Sequence, residues 1–331
     1  MSNYPYPLLN QPPFTYSRND NVVEPKAHEW IRPIDDEPSS WKMYDAVILG
    51  IPLSRSSISA SYASENPEAF RRTWKSFSTY NLDEDIDLSI LQVADLGDVK
   101  EHITDIQQCH QNIRDAMKAI QTYHPQAIPI SIGGDHSITA MLVRGYKDVY
   151  PNERVGILQF DTHFDLRDPK EIGPANGTPI RQLIEDAQVL GEDVYNIGLH
   201  GFFNAKSLKQ YADEAGLHYI TMKQARKKGI EETVRAVVEA LNDKVDKIYM
   251  TVDMDVLDVS VAPGAPVSTP GGMYVHELLE AVQVAGEYEK VFAMDIVCLD
   301  PQKDVAMATV KTGVHVMLSF LTGKMVAASG K

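Results

Sequence analysis

The sequence of 331 residues predicts an α/β protein in which helices cover both faces of a central, mainly parallel sheet. Short apolar runs that end near Gly, Pro or Asp are typical of buried strands, and they alternate with segments whose apolar residues recur at helical spacing. No linker or repeat interrupts this alternation between about residues 44 and 322. We therefore predict a single domain over residues 41–331, in three α/β/α layers.

Eight apolar runs predict the strands of this sheet. YDAVILGI is typical of them, because its apolar run ends at a Gly that Pro soon follows. The predicted strands cover residues 44–51, 90–98, 127–133, 155–160, 194–199, 217–222, 246–255 and 290–300.

Eight helices are predicted between and after the strands. Thr104 is a plausible N-cap of the second, and Gly216 follows the fifth as helix-ending glycines do. The predicted helices cover residues 67–77, 104–123, 137–146, 178–187, 205–216, 234–241, 276–286 and about 305–322. Residues 1–40, rich in Pro, Asn and charge, predict an extended N-terminal arm, either partly solvated or packed on a neighbouring subunit or near the site.

Composition excludes several classes of partner. The formal charge is −15, from 46 acidic and 31 basic residues, so nucleic acid and anionic membrane surfaces are unfavourable partners. No run of about 18 apolar residues predicts a membrane span, and the first residues do not read as a signal peptide. The two cysteines, Cys109 and Cys298, do not make a disulfide framework, and we expect a cytoplasmic protein.

Acidic and imidazole side chains follow several of the predicted strands. Residues two apart in an extended segment point the same way, so D-x-H-x-D and D-x-D can each aim at one point. Because carboxyl ends of parallel strands share one edge of a sheet, these groups can meet in one crevice. The candidates are His136, Asp161, His163, Asp165, Asp253 and Asp255.

Four carboxylates in one crevice cannot all stay ionised without cations, and two divalent ions would balance their charge. Carboxylate and imidazole donors without a thiolate favour Mn²⁺, although Co²⁺, Ni²⁺, Fe²⁺ and Zn²⁺ stay open. The sequence therefore predicts two Mn²⁺ per subunit at the carboxyl edge of the sheet.

Three blocks resemble the ureohydrolase family of arginases, agmatinases and formimidoylglutamases: SIGGDHS, QFDTHFD and VDMDVLDVSVAPGAPVSTPGG. The resemblance implies an arginase-like fold and a binuclear manganese centre in a homo-oligomer. It also implies that Asp165 hydrogen-bonds the attacking hydroxide and relays its proton, so Asp165 and His163 are our candidate catalytic residues. One ion would be held by His136, Asp161, Asp165 and Asp253, and the other by Asp161, His163, Asp253 and Asp255.

Two further stretches, IPLSRSSISASYAS (51–64) and GPANGTPIRQL (173–183), look most similar to formimidoylglutamases. In the second, Asn176 stands where arginases and agmatinases usually have His. The resemblance implies hydrolysis of a small amidine, N-formimidoyl-L-glutamate, to L-glutamate and formamide. Arginine pairs well with carboxylates, so Arg167, Arg181 and Arg55 are candidate ligands of the substrate's two carboxylates.

Cys298 stands where the family usually has a Glu that grips the amidine or guanidinium group. A thiol is a weak hydrogen-bonding group, and a guanidinium would leave more N–H groups unpaired than a formimidoyl group. Cys298 thus favours formimidoylglutamate over arginine or agmatine. Two alternatives stay open: a ureohydrolase of the agmatinase or guanidinobutyrase type, and a metal-bound family member with weak activity.

Overall fold

A central sheet runs through the computed structural model, which describes residues 8–10, 25–34 and 44–329. All eight predicted strands are present and form its parallel part. The strands among the described residues are β1 (Leu9–Asn10), β2 (Arg32–Pro33), β3 (Ala46–Gly50), β4 (Tyr80–Asn81), β5 (Ile86–Asp87), β6 (Val93–Val99), β7 (Ile128–Ile132), β8 (Val155–Phe160), β9 (Val194–Leu199), β10 (His218–Thr221), β11 (Lys247–Asp253) and β12 (Val291–Val297).

The eight predicted helices are present too, and the described residues contain three further short helices that the sequence pattern does not reveal. The N-cap of α3 is Asp105 rather than the predicted Thr104, because its carboxylate accepts a hydrogen bond from Gln108 N at 3.1 Å. The helices are α1 (Ala27–Trp30), α2 (Asn66–Thr73), α3 (Ile106–Tyr123), α4 (Ile138–Val149), α5 (Pro169–Ile172), α6 (Pro179–Glu185), α7 (Lys206–Ala215), α8 (Met222–Lys228), α9 (Ile230–Asn242), α10 (Val275–Gly286) and α11 (Ala308–Ser329).

The sheet has the strand order β1-β6-β3-β7-β12-β11-β8-β9-β10, with β2 also paired to β6. Every pair is parallel except β1 with β6, and β4 and β5 form a separate antiparallel pair. The four strands β7, β12, β11 and β8 are neighbours at the centre of the sheet, so their carboxyl ends open into a shared crevice.

Helices cover both faces of the sheet, which confirms the predicted three-layer α/β/α fold. One apolar layer contains α2, α9, α10 and α11, with Phe70 and Val234 among its buried residues. The other contains α3, α4 and α6, with Ile113 and Leu142 buried in it. None of the described helices is both long enough and apolar enough to cross a membrane.

The predicted N-terminal arm is described only at residues 8–10 and 25–34, and the remainder of residues 1–40 lies outside the described part. The described pieces lie at the β6 edge of the sheet. Leu9 pairs with Val99 in antiparallel register, and Arg32 pairs with Ala94 in parallel register. These pieces therefore occupy backbone hydrogen-bonding groups of an edge strand that would otherwise be exposed.

Candidate metal centre

The six predicted ligand residues meet at the carboxyl ends of β7, β8 and β11. His136 Nδ1 lies 3.3 Å from Asp161 Oδ2, 2.8 Å from Asp165 Oδ2 and 3.1 Å from Asp253 Oδ2. Beside this group, His163 Nδ1 lies 3.0 Å from Asp255 Oδ2 and 3.5 Å from Asp161 Oδ1. Asp161 therefore belongs to two adjacent clusters, each able to surround one ion.

The loop after β7 positions His136 through close backbone packing. A Cβ on Gly134 would lie 1.8 Å from the carbonyl oxygen of Leu53, so this position has no room for a side chain. Gly134 N and Asp135 N donate to Ile51 O at 2.9 Å and Leu53 O at 2.7 Å. The second glycine of SIGGDHS therefore allows the strand end to pack against the 51–64 stretch.

Hydrogen bonds also fix the turn after β8. Thr162 Oγ1 donates to Asp255 O at 2.8 Å, which joins the ends of β8 and β11. Asn204 spans the same turn, since its Nδ2 donates to Thr162 O at 2.8 Å and its Oδ1 accepts from Phe164 N at 3.0 Å. Asp165 has a φ of 55°, a left-handed conformation that Asp adopts more readily than most residues.

The charges of the centre depend strongly on one another. Burial, together with the neighbouring carboxylates, raises the pKa of Asp253 to about 8 and that of Asp165 to about 6. Burial opposes a charge on His136, but Asp165, Asp161 and Asp253 outweigh it and raise the pKa of this imidazole. Without cations, protons must therefore neutralise part of the centre.

The donor atoms fit divalent cations. His136 Nδ1 and Asp165 Oδ2 are buried but have no hydrogen-bond partner among the described residues. The other ring nitrogen of His136, Nε2, does have a partner, Thr251 Oγ1 at 2.8 Å. Leaving such atoms unpaired is costly in a protein interior. Oxygen and imidazole donors suit Mn²⁺ and similar ions, so a metal accounts for this arrangement.

Asn176 joins the two stretches that look most similar to formimidoylglutamases. Its Oδ1 accepts from Ile58 N at 3.0 Å, and its backbone N–H donates to Ser56 O at 3.1 Å. Arg167 lies on the same loop, with its side chain against Gly177. The Arg167 side chain is exposed and has no hydrogen-bond or ion-pair partner within the described part of the chain.

Two other candidate arginines are engaged elsewhere. Arg181 forms ion pairs with Asp168 at 2.9 Å and Glu185 at 2.7 Å, and its guanidinium lies 4.5 Å from the centre of the Tyr211 ring. These contacts argue against our prediction that Arg181 binds the substrate.

The Arg55 guanidinium donates to the carbonyl groups of His102 and Ile103 and lies 3.2 Å from the thiol sulfur of Cys109. It is therefore a brace between the 51–64 stretch and the loop before α3. Its proposed contact with a substrate carboxylate would require these bonds to break.

Cys298 is buried directly after β12 and next to the ligand cluster. Its backbone N–H donates to Gly134 O at 2.8 Å, and its φ of 58° is unusual for a residue with a side chain. Burial and the carboxylates of Asp253 and Asp255 raise the pKa of the thiol, so it carries no charge. The position where the resemblance leads us to expect a Glu is therefore uncharged here.

His110 is a buried histidine whose contacts the sequence does not indicate. Its Nε2 lies 3.0 Å from Ser137 Oγ and 3.3 Å from Ser56 Oγ. Asp135 accepts from the backbone N–H groups of the same two serines, at 3.0 and 3.1 Å. His110 and Asp135 therefore connect the 51–64 stretch to Ser137, the residue that follows His136.

The fold and the centre together define a class of α/β protein that assembles carboxylates and imidazoles at the carboxyl edge of a parallel sheet. The chain belongs to the arginase family, since a model of that family matches residues 44–323.

Curated relatives include the formimidoylglutamase of Halalkalibacterium halodurans, 39% identical over 283 residues, 86% of this chain and 88% of that protein. The formimidoylglutamase of Bacillus subtilis is 34% identical over 321 residues, 96% of this chain and 97% of that protein.

The crystal structure of formimidoylglutamase from Bacillus subtilis matches with a TM-score of 0.88 at 33% identity, over 97% of this chain and 98% of that one. A structure of Trypanosoma cruzi formiminoglutamase with Mn²⁺ has a TM-score of 0.81 at 23% identity, over 91% of this chain and 98% of that one, and shows the same fold.

Proposed function

We propose that this arginase-family protein hydrolyses N-formimidoyl-L-glutamate to L-glutamate and formamide. The observation that carries the proposal is the convergence of four carboxylates and two imidazoles in one centre, next to two loops that Asn176 joins. Relatives that bear the name formimidoylglutamase and align along most of the chain support the substrate.

The proposed centre would hold two Mn²⁺ per subunit, with Asp161 and Asp253 as candidate ligands of both. His136 and Asp165 complete one ligand set, and His163 and Asp255 complete the other. When bound, the ions supply Lewis-acid charge and lower the pKa of water, which makes hydroxide available near neutral pH. A homo-oligomer and a cytoplasmic location stay predictions from the sequence.

Asp165 is the proposed proton carrier. Its Oδ2 is buried among the ligand atoms, where it can take a proton from the attacking water and later give it to the leaving amine of glutamate. His163 is less buried than His136, with 28% of its side chain exposed, so its imidazole lies on the side of the centre that substrate can reach.

The remaining residues bind and orient the substrate. Arg167 has an exposed guanidinium on the loop of Asn176, with no partner in the described part of the chain, and a guanidinium pairs with a carboxylate through two parallel hydrogen bonds. Cys298 would present an uncharged thiol, instead of a carboxylate, to the formimidoyl end of the substrate. This combination fits a substrate with a small amidine at one end and carboxylates at the other.

The experiment compares products. Protein loaded with Mn²⁺ is given N-formimidoyl-L-glutamate and assayed for formamide, while arginine, agmatine and guanidinobutyrate are assayed for urea. We expect rapid formamide release and little urea. Urea release without formamide would contradict the proposal and support a guanidino substrate.

Cys298→Glu tests in the same assay whether the neutral side chain at this position favours formimidoylglutamate. Cys109→Ala is its control, because this other buried cysteine lies outside the ligand cluster. We expect Cys298→Glu to improve guanidino substrates relative to formimidoylglutamate, and Cys109→Ala to leave the ratio unchanged. Formamide release that appears only in Cys298→Glu would mean that the natural chain acts on another substrate or is weakly active.

A further inference from the structure

A row of buried polar side chains crosses the sheet beneath the metal centre. Backbone pairing places Ser131 beside Asp295, Asp295 beside Thr251, Thr251 beside Gln159, and Gln159 beside Asn196. All five side chains are fully buried. Residues in register on neighbouring parallel strands point to the same face, so these side chains form one continuous row over β7, β12, β11, β8 and β9.

The row lies in an otherwise apolar layer. On the same strands, residues two positions earlier, such as Ile157, Tyr249 and Ala293, belong to the core that contains α3 and α4. Burying polar groups, and a carboxylate above all, costs free energy unless specific partners compensate for it. Packing alone therefore does not explain the row.

Three members of the row contact residues of the centre. Gln159 Nε2 donates to Asp161 Oδ2 at 2.7 Å, and Asn196 Nδ2 donates to the carbonyl oxygen of His163 at 2.7 Å. Thr251 Oγ1 lies 2.8 Å from His136 Nε2. The row thus supports Asp161 and His163, which follow β8, and the imidazole of His136 on the loop after β7.

Asp295 determines the direction of the Thr251 contact. The carboxylate accepts hydrogen bonds from three hydroxyls: Thr251 at 2.5 Å, Thr139 at 2.7 Å and Tyr249 at 2.9 Å. A hydroxyl has one hydrogen, so Thr251 uses it on Asp295 and can only accept from His136. The His136 ring therefore carries a hydrogen on Nε2, so Nδ1, which faces the three carboxylates, is the nitrogen that can bind a cation.

We propose that Asp295 is a positioning residue that acts through Thr251 on His136, fixing the ring's orientation and keeping its hydrogen on Nε2 so that Nδ1 is the nitrogen offered to a cation. This inference rests on the proposed metal centre. Partners of this kind behind a ligating imidazole typically change metal affinity about 10- to 100-fold when they are removed.

The test uses Thr251→Val, which keeps the shape of the side chain but removes the hydroxyl, and Thr251→Ser, which keeps the hydroxyl. Ser131→Ala is the matched control, because its hydroxyl is in the same row but has no hydrogen-bond partner among the described residues. Mn²⁺ affinity and stoichiometry are measured on the whole protein by electron paramagnetic resonance titration, and thermal unfolding of the metal-free proteins reports folding.

We expect Thr251→Val to weaken one of the two Mn²⁺ sites about 10- to 100-fold, with Thr251→Ser and Ser131→Ala close to wild type. Asp295→Asn is titrated beside it, with the same expected loss, and carries the test alone if Thr251→Val does not fold. Wild-type affinity in either of these two variants, if it folds, would overturn the inference, as would an equal loss in Ser131→Ala. A wild-type protein that binds no Mn²⁺ would instead overturn the proposed centre itself.

Discussion

The arginines around the centre differ in the contacts that they already make. Arg181 has two ion pairs and a ring contact, and Arg55 braces two loops through backbone carbonyls. Arg167 has neither kind of partner within the described residues and lies on the loop that carries Asn176. Among these three, Arg167 can bind a carboxylate without first giving up another bond.

We therefore predict that Arg167→Met raises the KM for N-formimidoyl-L-glutamate about 10- to 100-fold, because a hydrogen bond to a charged group is worth about 1.5–3 kcal/mol. The kcat should change less, since Arg167 is proposed to contact no reacting atom. Steady-state kinetics of the wild type and of Arg167→Met would check this, with Arg181→Met as the comparison. A larger rise in KM for Arg181→Met would show that the carboxylate is bound by Arg181 instead.

The direction of a side chain could be predicted from the sequence where it depends only on the local backbone pattern. D-x-H-x-D and D-x-D after apolar runs pointed correctly to Asp161, His163 and Asp253 as neighbours, because alternate residues of an extended segment share a face. The partners of Arg181 could not be read in this way. They depend on how α6 packs near Asp168 and Tyr211, which no local pattern encodes.

At the scale of elements, α2 is attached to the edge of the sheet by a buried guanidinium. Arg71 on α2 donates to both oxygens of Asp95 on β6, at 2.7 and 2.9 Å, and to Asp98 at 2.6 Å. Only 3% of the Arg71 side chain is exposed. A Cβ on Gly50 would lie 1.8 Å from Asp98 Oδ1, so the glycine of β3 makes room for this contact.

Arg71→Met should lower the free energy of unfolding by about 3–5 kcal/mol, because it leaves buried carboxylates without a counter-charge. Urea unfolding measures the change. Arg72→Met, on the exposed side of the same helix, should stay within about 0.5 kcal/mol of wild type. Adding Asp95→Asn to Arg71→Met should recover part of the loss, and failure to do so would mean that packing rather than charge holds α2.

His110 makes a second prediction at this scale, since it links α3 to the start of α4 and to the 51–64 stretch. Burial, with a smaller effect from Arg144, lowers the pKa of His110 from 6.5 to about 4. In the unfolded chain the imidazole binds a proton near pH 6.5, whereas the folded protein resists it until about pH 4. The contribution of His110 to stability is therefore complete above pH 6.5 and is lost as the pH falls toward 4.

The loss should reach about 3 kcal/mol at most. His110→Gln can still hydrogen-bond the two serines but does not titrate, so its free energy of unfolding should fall less between pH 6.5 and 4.5. Urea unfolding at several pH values, with wild type beside the variant, isolates this group from the carboxylates that both proteins share. Parallel pH curves would contradict the assignment.

Strand order was the part of the architecture that sequence could not supply. Alternation of apolar runs predicted that the strands exist and are parallel, but it did not reveal that β12 lies between β7 and β11. That placement is what brings Asp295 beside Ser131 and Thr251 in one row. Asp295 is an acid inside an apolar run of the sequence, but its role depends on register across three strands that are distant in sequence.

At the scale of the whole molecule, the candidate metal centre connects the carboxyl ends of β7, β8 and β11, which lie in the middle of the sheet. Four carboxylates share this buried space. Cations that bind only the folded state stabilise it by mass action, by about 2.7 kcal/mol at a concentration 100 times the dissociation constant. Metal content should thus affect global stability as well as catalysis.

Removing metal with a chelator should lower the Tm, and added Mn²⁺ should restore it in a concentration-dependent way. Asp255→Asn should reduce this response because it removes one proposed metal ligand. Asp168→Asn should keep the full response, because Asp168 follows β8 but pairs with Arg181 outside the centre. Scanning calorimetry with and without Mn²⁺ measures the shift, and a wild-type Tm that is indifferent to Mn²⁺ would contradict a metal-stabilised fold.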